Sequence, residues 1–350
     1  MKTVSVCIIA YNEEKFMPRL LADIVAQTYP KELTEVVLVN AMSIDKTREI
    51  MENFRDANHG FYSVKVVDNP KKNQASGWNK AIVTATGEVI IRIDAHSHIP
   101  CDYVKKCMEN IESGEFVVGG QRPCLVENDT DWGKVLLETE NSLFGSSINK
   151  SRRNVKKTYV NTMFHAAYRR EVFAKIGGFN ENLLRTEDNE FHYRVRKAGF
   201  KLLFDPEAVT YQYARSNLKK MLKQKYGNGY WIGLTLGVSP KCLAIYHFVP
   251  FCFVLGIVFT TALAFCGFWQ LAALMWGLYA LFAVANTAIS LKNSGFNKFF
   301  YIMPFLFLLL HLSYGWGTLI GILKMPFTRK KLKRCYGIDE VKMRLKEKRR

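Results

Sequence analysis

The sequence predicts an α/β domain with a mostly parallel sheet at the front of the chain and a membrane-associated helical region behind it. Three observations predict it. Apolar runs of strand length alternate with segments of helical periodicity between residues 4 and 93. Residues 242–291 and 299–323 run for 50 and 25 positions without one Asp, Glu, Lys or Arg. Residues 208–338 hold no acidic residue and fourteen basic ones, so the formal charge of +18 sits mostly in the second half and residues 1–207 are nearly neutral.

Taken in order, residues 4–10 read as a buried strand and 14–27 as a helix with Phe16, Leu20, Leu21 and Ile24 on one face. Residues 35–39 are the next strand, and Ser43-Ile44-Asp45-Lys46 introduces a helix over 47–54. Strand 63–67, helix 74–85 and strand 88–93 complete a βαβαβαβ run. In such sheets ligands bind beyond the carboxyl ends of the strands. Those ends carry Tyr11-Asn12-Glu13-Glu14, Asn40-Ala41-Met42-Ser43-Ile44-Asp45 and Asp94-Ala95-His96. Neither G-x-G-x-x-G after the first strand nor a P-loop occurs, which removes the main support for dinucleotide oxidoreductases and P-loop kinases. Further on we expect strand 116–120, helix 136–144, a strand over 160–168 crossing the site region and helix 170–176. The turn Gly177-Gly178-Phe179, helix 187–198 and strands 201–204 and 208–213 follow.

A basic excess beside apolar spans reads as positive-inside anchoring, whereas a nucleic-acid binder carries its charge on the folded domain. An apolar content of 49% excludes a disordered chain, and eight cysteines without a C-x-x-C pair fit buried reduced thiols with no metal or redox role. The opening residues lack a signal-peptide pattern, which puts the front domain on the cytoplasmic side. The expected division is 1–215 for the front domain, 216–240 for an amphipathic helix, 241–325 for about three transmembrane segments with a turn near 266–270, and 326–350 for a basic tail. In the amphipathic helix Leu218, Met221, Leu222 and Tyr226 share one face and Lys219, Lys220, Lys223 and Lys225 fill the rest; with Trp231 following, an interfacial helix is favoured over a solvated one. Three crossings would put the basic tail outside; Pro304, Gly315, Gly317 and Gly321 make the last segment a candidate for a re-entrant or interfacial arrangement that restores the positive-inside rule.

Two constellations carry chemistry. Asp94 and His96, two apart at a strand end, can share a divalent ion that neutralises a diphosphate leaving group; the plainer alternative is a strand end or helix cap. Glu187 and Asp188 open a helix, where an acidic pair is favoured by the dipole with Thr186 as cap. As a functional pair, Asp188 is the general base that takes an acceptor proton on the face opposite the leaving group, and Glu187 orients the acceptor.

Val4-Ser5-Val6 with Tyr11-Asn12-Glu13-Glu14, Asn40 through Thr47, Arg92-Ile93-Asp94-Ala95-His96, Gly177-Gly178-Phe179 and Glu187-Asp188-Asn189-Glu190 occur in order. Together they resemble inverting family 2 glycosyltransferases of GT-A fold, over essentially residues 1–325. The chain is most similar to the membrane-anchored exopolysaccharide type, such as the glucosyltransferases of succinoglycan synthesis. The resemblance implies a GT-A nucleotide-sugar-binding domain in which Ala10, Tyr11 and Glu13 hold the nucleotide, Asp94 and His96 form the metal and diphosphate motif, and Asp188 is the base. Gln224 and Trp231 fall where such enzymes carry an interfacial Gln…Trp motif, although residues 224–231 replace a compact Q-x-x-R-W. Asn40 stands where relatives place an Asp that contacts the base or ribose. His96 stands where many have a second Asp, and imidazole shifts preference toward Mn²⁺ over Mg²⁺.

The implied activity moves a sugar from a nucleoside diphosphate sugar, UDP-linked, to a lipid-linked saccharide acceptor for exopolysaccharide, capsule or cell-surface glycan. It implies a divalent cation, Mn²⁺ or Mg²⁺, as cofactor, membrane lipids as partners, and no nucleic acid. Competing readings are transfer of a monosaccharide to polyprenyl phosphate and a non-catalytic sugar-nucleotide-binding membrane subunit. Other residues have paired readings. His165 is an acceptor-pocket residue or a satisfied core histidine, and Gly119-Gly120-Gln121-Arg122 is a close substrate approach or a plain turn. His247 and His311 face a lipid phosphate or pack helices; Arg152, Arg153, Lys156 and Lys157 form a lid or a solvated loop.

Overall fold

Strand β1 (Val4–Ala10) and strand β2 (Thr34–Asn40) are buried along almost their whole length, which is why they read as unbroken apolar runs. Helix α1 (Met17–Val25) connects them and buries Met17, Leu20, Leu21 and Ile24. It is shorter than the periodicity predicts because Pro18 fixes its first turn. The computed structural model describes residues 1–126, 130–145, 156–214, 217–295, 297–334 and 337–347. Helix α2 (Thr47–Asp56), strand β3 (Ser63–Asp68), helix α3 (Gln74–Thr84) and strand β4 (Val89–Asp94) continue the alternation. Asn73 caps α3 by accepting from the Ser76 amide at 2.8 Å.

After β4 come the short strand β5 (Ser97–His98), helix α4 (Tyr103–Glu112), strand β6 (Val117–Gly120), strand β7 (Cys124–Val126) and helix α5 (Asp131–Asn141). Helix α5 starts five residues earlier than predicted because the Thr130 hydroxyl accepts from the Gly133 amide at 3.1 Å. The strand predicted over 160–168 is two strands, β8 (Thr158–Val160) and β9 (Ala166–Arg169). Residues 161–165 leave the sheet because the His165 side chain is drawn toward Asp94 and Thr210. Helices α6 (Arg170–Ile176) and α7 (Glu187–Lys197) and strands β10 (Leu202–Asp205) and β11 (Tyr211–Ala214) complete the domain.

The main sheet has the order β3-β2-β1-β4-β9-β6-β10-β8. Strands β3, β2, β1 and β4 are parallel, with Ala10 opposite Asn40 and Ile9 opposite Asp94. Strand β9 enters antiparallel between β4 and β6. The chain order reverses on either side of β1, so the carboxyl ends of β1 and β4 frame a crevice.

Two compact units result, one of residues 1–123, 151–212 and 332–350, the other of 124–150 and 213–331. The first unit has an apolar layer on each side of the sheet. One layer includes Val6, Ile8, Leu20 and Met108, the other Trp78, Phe173, Phe179 and Phe191. Helix α12 (Ile338–Glu347) belongs to this unit and contributes Val341 and Leu345 to the second layer. Gly177, at φ +82, ends α6 where a side chain would strike the Ile338 carbonyl, and the Gly178 amide donates to that carbonyl at 3.2 Å.

The second unit holds α5, α8 (Leu218–Thr235), α9 (Val249–Phe265), α10 (Trp269–Ser294) and α11 (Met303–Leu332). Residues Ile245–Phe265, Trp269–Ser294 and Phe300–Leu332 are each long and apolar enough to cross a membrane. The first two meet at Cys266–Phe268, inside the predicted turn.

Candidate active site

The loops after β1 and β2 clasp each other at the carboxyl edge of the sheet. The Asn12 amide donates to Ser43 Oγ at 3.1 Å, and Asn12 Oδ1 accepts from the Ile44 amide at 2.9 Å. The Glu13 amide donates to Thr47 Oγ1 at 2.8 Å, and Glu14 accepts from the Lys46 amide at 3.0 Å. Both loops pass through left-handed backbone, Asn12 at φ 55 and Met42 at φ 60. Asn tolerates that region, whereas Met pays about 1–2 kcal/mol there, a strain that the loop hydrogen bonds must hold. Ala10 closes β1, its carbonyl accepting from the Ala41 amide at 2.9 Å, and Tyr11 is 49% exposed above it. Asn40 is buried; its Nδ2 donates to Asp68 at 3.1 Å and its Oδ1 accepts from the Ser43 amide at 2.9 Å. The neighbouring carboxylate lies one strand over on Asp68, which Arg48 grips through both oxygens at 2.8 Å.

Strand β4 delivers a second set. Arg92 and Asp94 lie two apart, so both side chains leave the same face of the strand about 7 Å apart. Arg92 reaches Asp188 at the start of α7 with two bonds of 2.5 and 3.1 Å. Its guanidinium lies 4.6 Å over the Trp78 ring and 5.2 Å from the Phe179 ring centre. Burial works against the cation, but Asp188 outweighs it and keeps Arg92 protonated well above its ordinary range. The pairing connects two sequence motifs: Asn79 holds the Phe179 amide at 2.7 Å and its carbonyl at 2.9 Å, Phe179 stacks on Phe191, and the guanidinium rests on Phe179.

Glu187, the neighbour of Asp188, has a different environment. It is 3% exposed and its Oε2 has no hydrogen-bond partner among the described residues. Burial, reinforced by the charge of Asp188, pushes its carboxyl up to about 8. Behind the pair His192 is fully buried between Tyr168 and Thr162, and burial keeps its ring neutral, down to about 4.

His165 Nε2 accepts from the Asp94 amide at 3.2 Å and lies 3.2 Å from the Asp94 carboxylate, with Arg122 at 3.9 Å from that carboxylate. Burial alone would raise its carboxyl, yet His165, Arg92 and His96 together hold it far below the usual carboxylate range. His96 Nδ1 lies 3.4 Å from Glu13 and its Nε2 lies 2.5 Å from the Gln212 amide nitrogen. Burial lowers the His96 ring's proton affinity, but Glu13 and Asp94 more than offset this and raise it overall.

Among the described residues no group of three or more His, Cys, Asp or Glu is arranged to enclose a metal ion. Asp94 and His96 supply one carboxylate and one imidazole, a donor set that suits a divalent ion whose remaining ligands come from substrate phosphates and water.

Glu13, His96, Asp94, Asp188 and Glu187 thus gather around the ends of β1 and β4. Gln224 and Trp231 lie on α8, in the other compact unit. Residues that the motif reading passed over are Arg92 as the partner of Asp188, Trp78 and Phe179 as its platform, and Gln212, which is 116 positions from His96. Arg92 stood inside a quoted motif, whereas nothing local marks Gln212. His165 touches Asp94 and Thr210, and Arg122 lies on the Phe164 ring beside Asp94. His311 donates to or accepts from Tyr279 at 2.9 Å and reaches the Phe144 carbonyl at 2.7 Å, as a helix-packing residue does. Arg152 and Arg153 lie outside the described residues.

The chain is similar to known glycosyltransferases in sequence and fold. Residues 5–177 match the family model described as Glycosyl transferase family 2. A Methanococcus voltae protein, dolichyl N-acetyl-alpha-D-glucosaminyl phosphate 3-beta-D-2,3-diacetamido-2,3-dideoxy-beta-D-glucuronosyltransferase, is 27% identical over 93% of this chain and 98% of its own length. The succinoglycan biosynthesis protein ExoA of Rhizobium meliloti is 28% identical over 72% of this chain and 78% of its own. In fold, the chain is similar to the mannosyltransferase PcManGT of Pyrobaculum calidifontis, solved with GDP-Man and Mn²⁺. The TM-score is 0.62 at 18% identity, over 91% of this chain and 87% of that one.

Proposed function

Because the chain belongs to glycosyltransferase family 2, we propose that it transfers a sugar with inversion from a UDP-linked donor to a lipid-linked saccharide at the cytoplasmic face of a membrane. The observation that carries this is the Arg92–Asp188 pair, which ties a carboxylate to the strand end that bears Asp94 and His96. The relatives' names support the acceptor class: one acts on a dolichyl-linked sugar phosphate, the other in succinoglycan synthesis.

The acceptor hydroxyl oxygen attacks the anomeric carbon, the bond from that carbon to the diphosphate breaks, and the hydroxyl proton passes to Asp188. Arg92 holds Asp188 in one orientation through two hydrogen bonds and leaves the outer lone pairs of its carboxylate to receive the proton. Glu187, neutral at physiological pH, orients the acceptor by donating a hydrogen bond. Glu13 and Asn40 fix the nucleotide end through the clasped loops. Asp94 and His96 would hold a divalent cation, which when bound neutralises charge on the departing diphosphate.

The test uses membranes containing the full chain, a panel of labelled nucleotide sugars and lipid extracts, with and without Mn²⁺. Asp188→Asn is expected to lose at least about 10²-fold in kcat while donor binding persists; unchanged turnover removes the assignment of the base. A monophosphate-linked monosaccharide as the labelled product would replace the lipid-linked saccharide acceptor with polyprenyl phosphate.

A further inference from the structure

The third apolar helix is surrounded differently from the other two. In the most apolar windows of the first two candidate spans 6% and 11% of residues are buried within the protein, against 39% in Phe300–Leu332. Its beginning lies against α5. Asn297 Nδ2 donates to the Asp131 carbonyl at 2.9 Å, the Phe299 ring meets Trp132 edge-on at 5.6 Å, and Met303, Leu306, Phe307 and Leu310 share an apolar cluster with Val135 and Leu136. Helix α5 carries Asp131, Lys134, Glu138 and Glu140, a charge density that does not enter hydrocarbon.

The remainder of α11 lies on α8. A Cβ on Gly229 would strike the Tyr314 carbonyl and one on Gly233 the Thr318 carbonyl; in return, Gly317 and Gly321 sit against the Tyr226 and Tyr230 carbonyls. Two small-x-x-x-small faces therefore interlock. The numbers rise together along both helices, and Arg329 Nε still reaches the Gly237 carbonyl at 3.2 Å, so the helices run parallel. Helix α8 begins six residues after the chain leaves the first unit at Gln212, and Arg329 lies three residues before the chain rejoins that unit at Leu332. Both ends of the α8–α11 pair are thus tethered by short connections to one domain. Lys219, Lys220, Lys223, Lys324, Arg329 and Lys330 are exposed along it.

We propose that only the α9–α10 hairpin crosses the bilayer, and that α5, α8 and α11 form a platform seated in the phosphate headgroup layer, with both chain termini on one side. Two crossings carry the chain out and back, so α12 returns to the sheet domain without a third. The clustered cations meet lipid phosphates, and the apolar flanks of α11, such as Phe305 and Leu323, lie at the acyl boundary.

Reporter fusions to the full chain test this without reference to the reaction. Green fluorescent protein is expected to fluoresce at Met1 and after Arg350, with alkaline phosphatase silent at both; alkaline phosphatase inserted after Gly267 is expected to be active. Active alkaline phosphatase after Arg350, with fluorescence at Met1, overturns the proposal. Spin labels at Phe305, Trp316 and Leu323 in phospholipid nanodiscs provide a second reading. Similar shallow depths are expected, whereas a spanning helix would separate the first and last by about 27 Å along its axis, and a depth profile of that kind also overturns the proposal.

Discussion

The β1–β2 edge, proposed to take the nucleotide, and the β4–α7 edge, proposed to carry the reaction, meet in one crevice but are built from different interactions. At the first edge Asn12, Ser43, Asp45 and the buried Thr47 exchange neutral or charge-assisted hydrogen bonds between loops that reach the surface, and Arg48 and Asp68 pair in water. At the second, Arg92, Asp94 and Glu187 are desolvated, and Asp188 is only one-fifth exposed. Exposed pairs contribute little to stability and can rearrange around a ligand, while buried ones fix geometry and cost much when broken. On the proposed function, the difference assigns binding to adaptable loops and reaction to a rigid strand end.

Removing the guanidinium should show this most strongly. Arg92→Leu leaves Asp188 without its cation and is expected to cost about 3–5 kcal/mol in detergent unfolding and to abolish turnover. Arg92→Lys keeps the charge without the bidentate grip and should recover stability more than kcat.

The buried acid tests the same edge by titration. The Glu187 carboxyl is raised to about 8 in the folded chain, so between roughly pH 4.5 and 8 the unfolded chain gives up a proton that the folded chain keeps. Stability therefore falls as pH rises through that window, by at most about 5 kcal/mol. Glu187→Gln is expected to flatten that part of the pH profile of the unfolding midpoint.

A smaller effect is expected from Gly178→Ala, whose new methyl meets the Asn79 side chain and Val341. A loss of about 1–3 kcal/mol should come with faster proteolysis of α12. At the nucleotide edge Thr47→Val removes one acceptor from the Glu13 amide; we expect about 1 kcal/mol or less in stability and a few-fold rise in donor KM with kcat nearly unchanged. An equal loss in kcat there would erase the contrast between the edges.

The parallel half of the sheet was legible because Val4–Ala10, Thr34–Asn40 and Val89–Asp94 are apolar on both faces and end in polar loops. The break between β8 and β9 was not, since it depends on His165 finding Asp94 and Thr210 across the fold. Motif order singled out Asp188 and Asp94 as candidates, but their environments were not readable from it. One acid is paired and its neighbour orphaned because β4 happens to place Arg92 beneath α7. The C-terminal helix carried an amphipathic pattern of Ile338, Val341 and Leu345, yet nothing local said that its apolar side belongs with Trp78.

That late helix imposes an order on biogenesis. Val341 and Leu345 complete a hydrophobic layer whose other members were synthesised more than a hundred residues earlier. Until α12 has been made, the second apolar layer lacks those two side chains. A chain interrupted between residues 213 and 337 therefore carries every motif of the β1–β4 crevice and still lacks the piece that closes its floor.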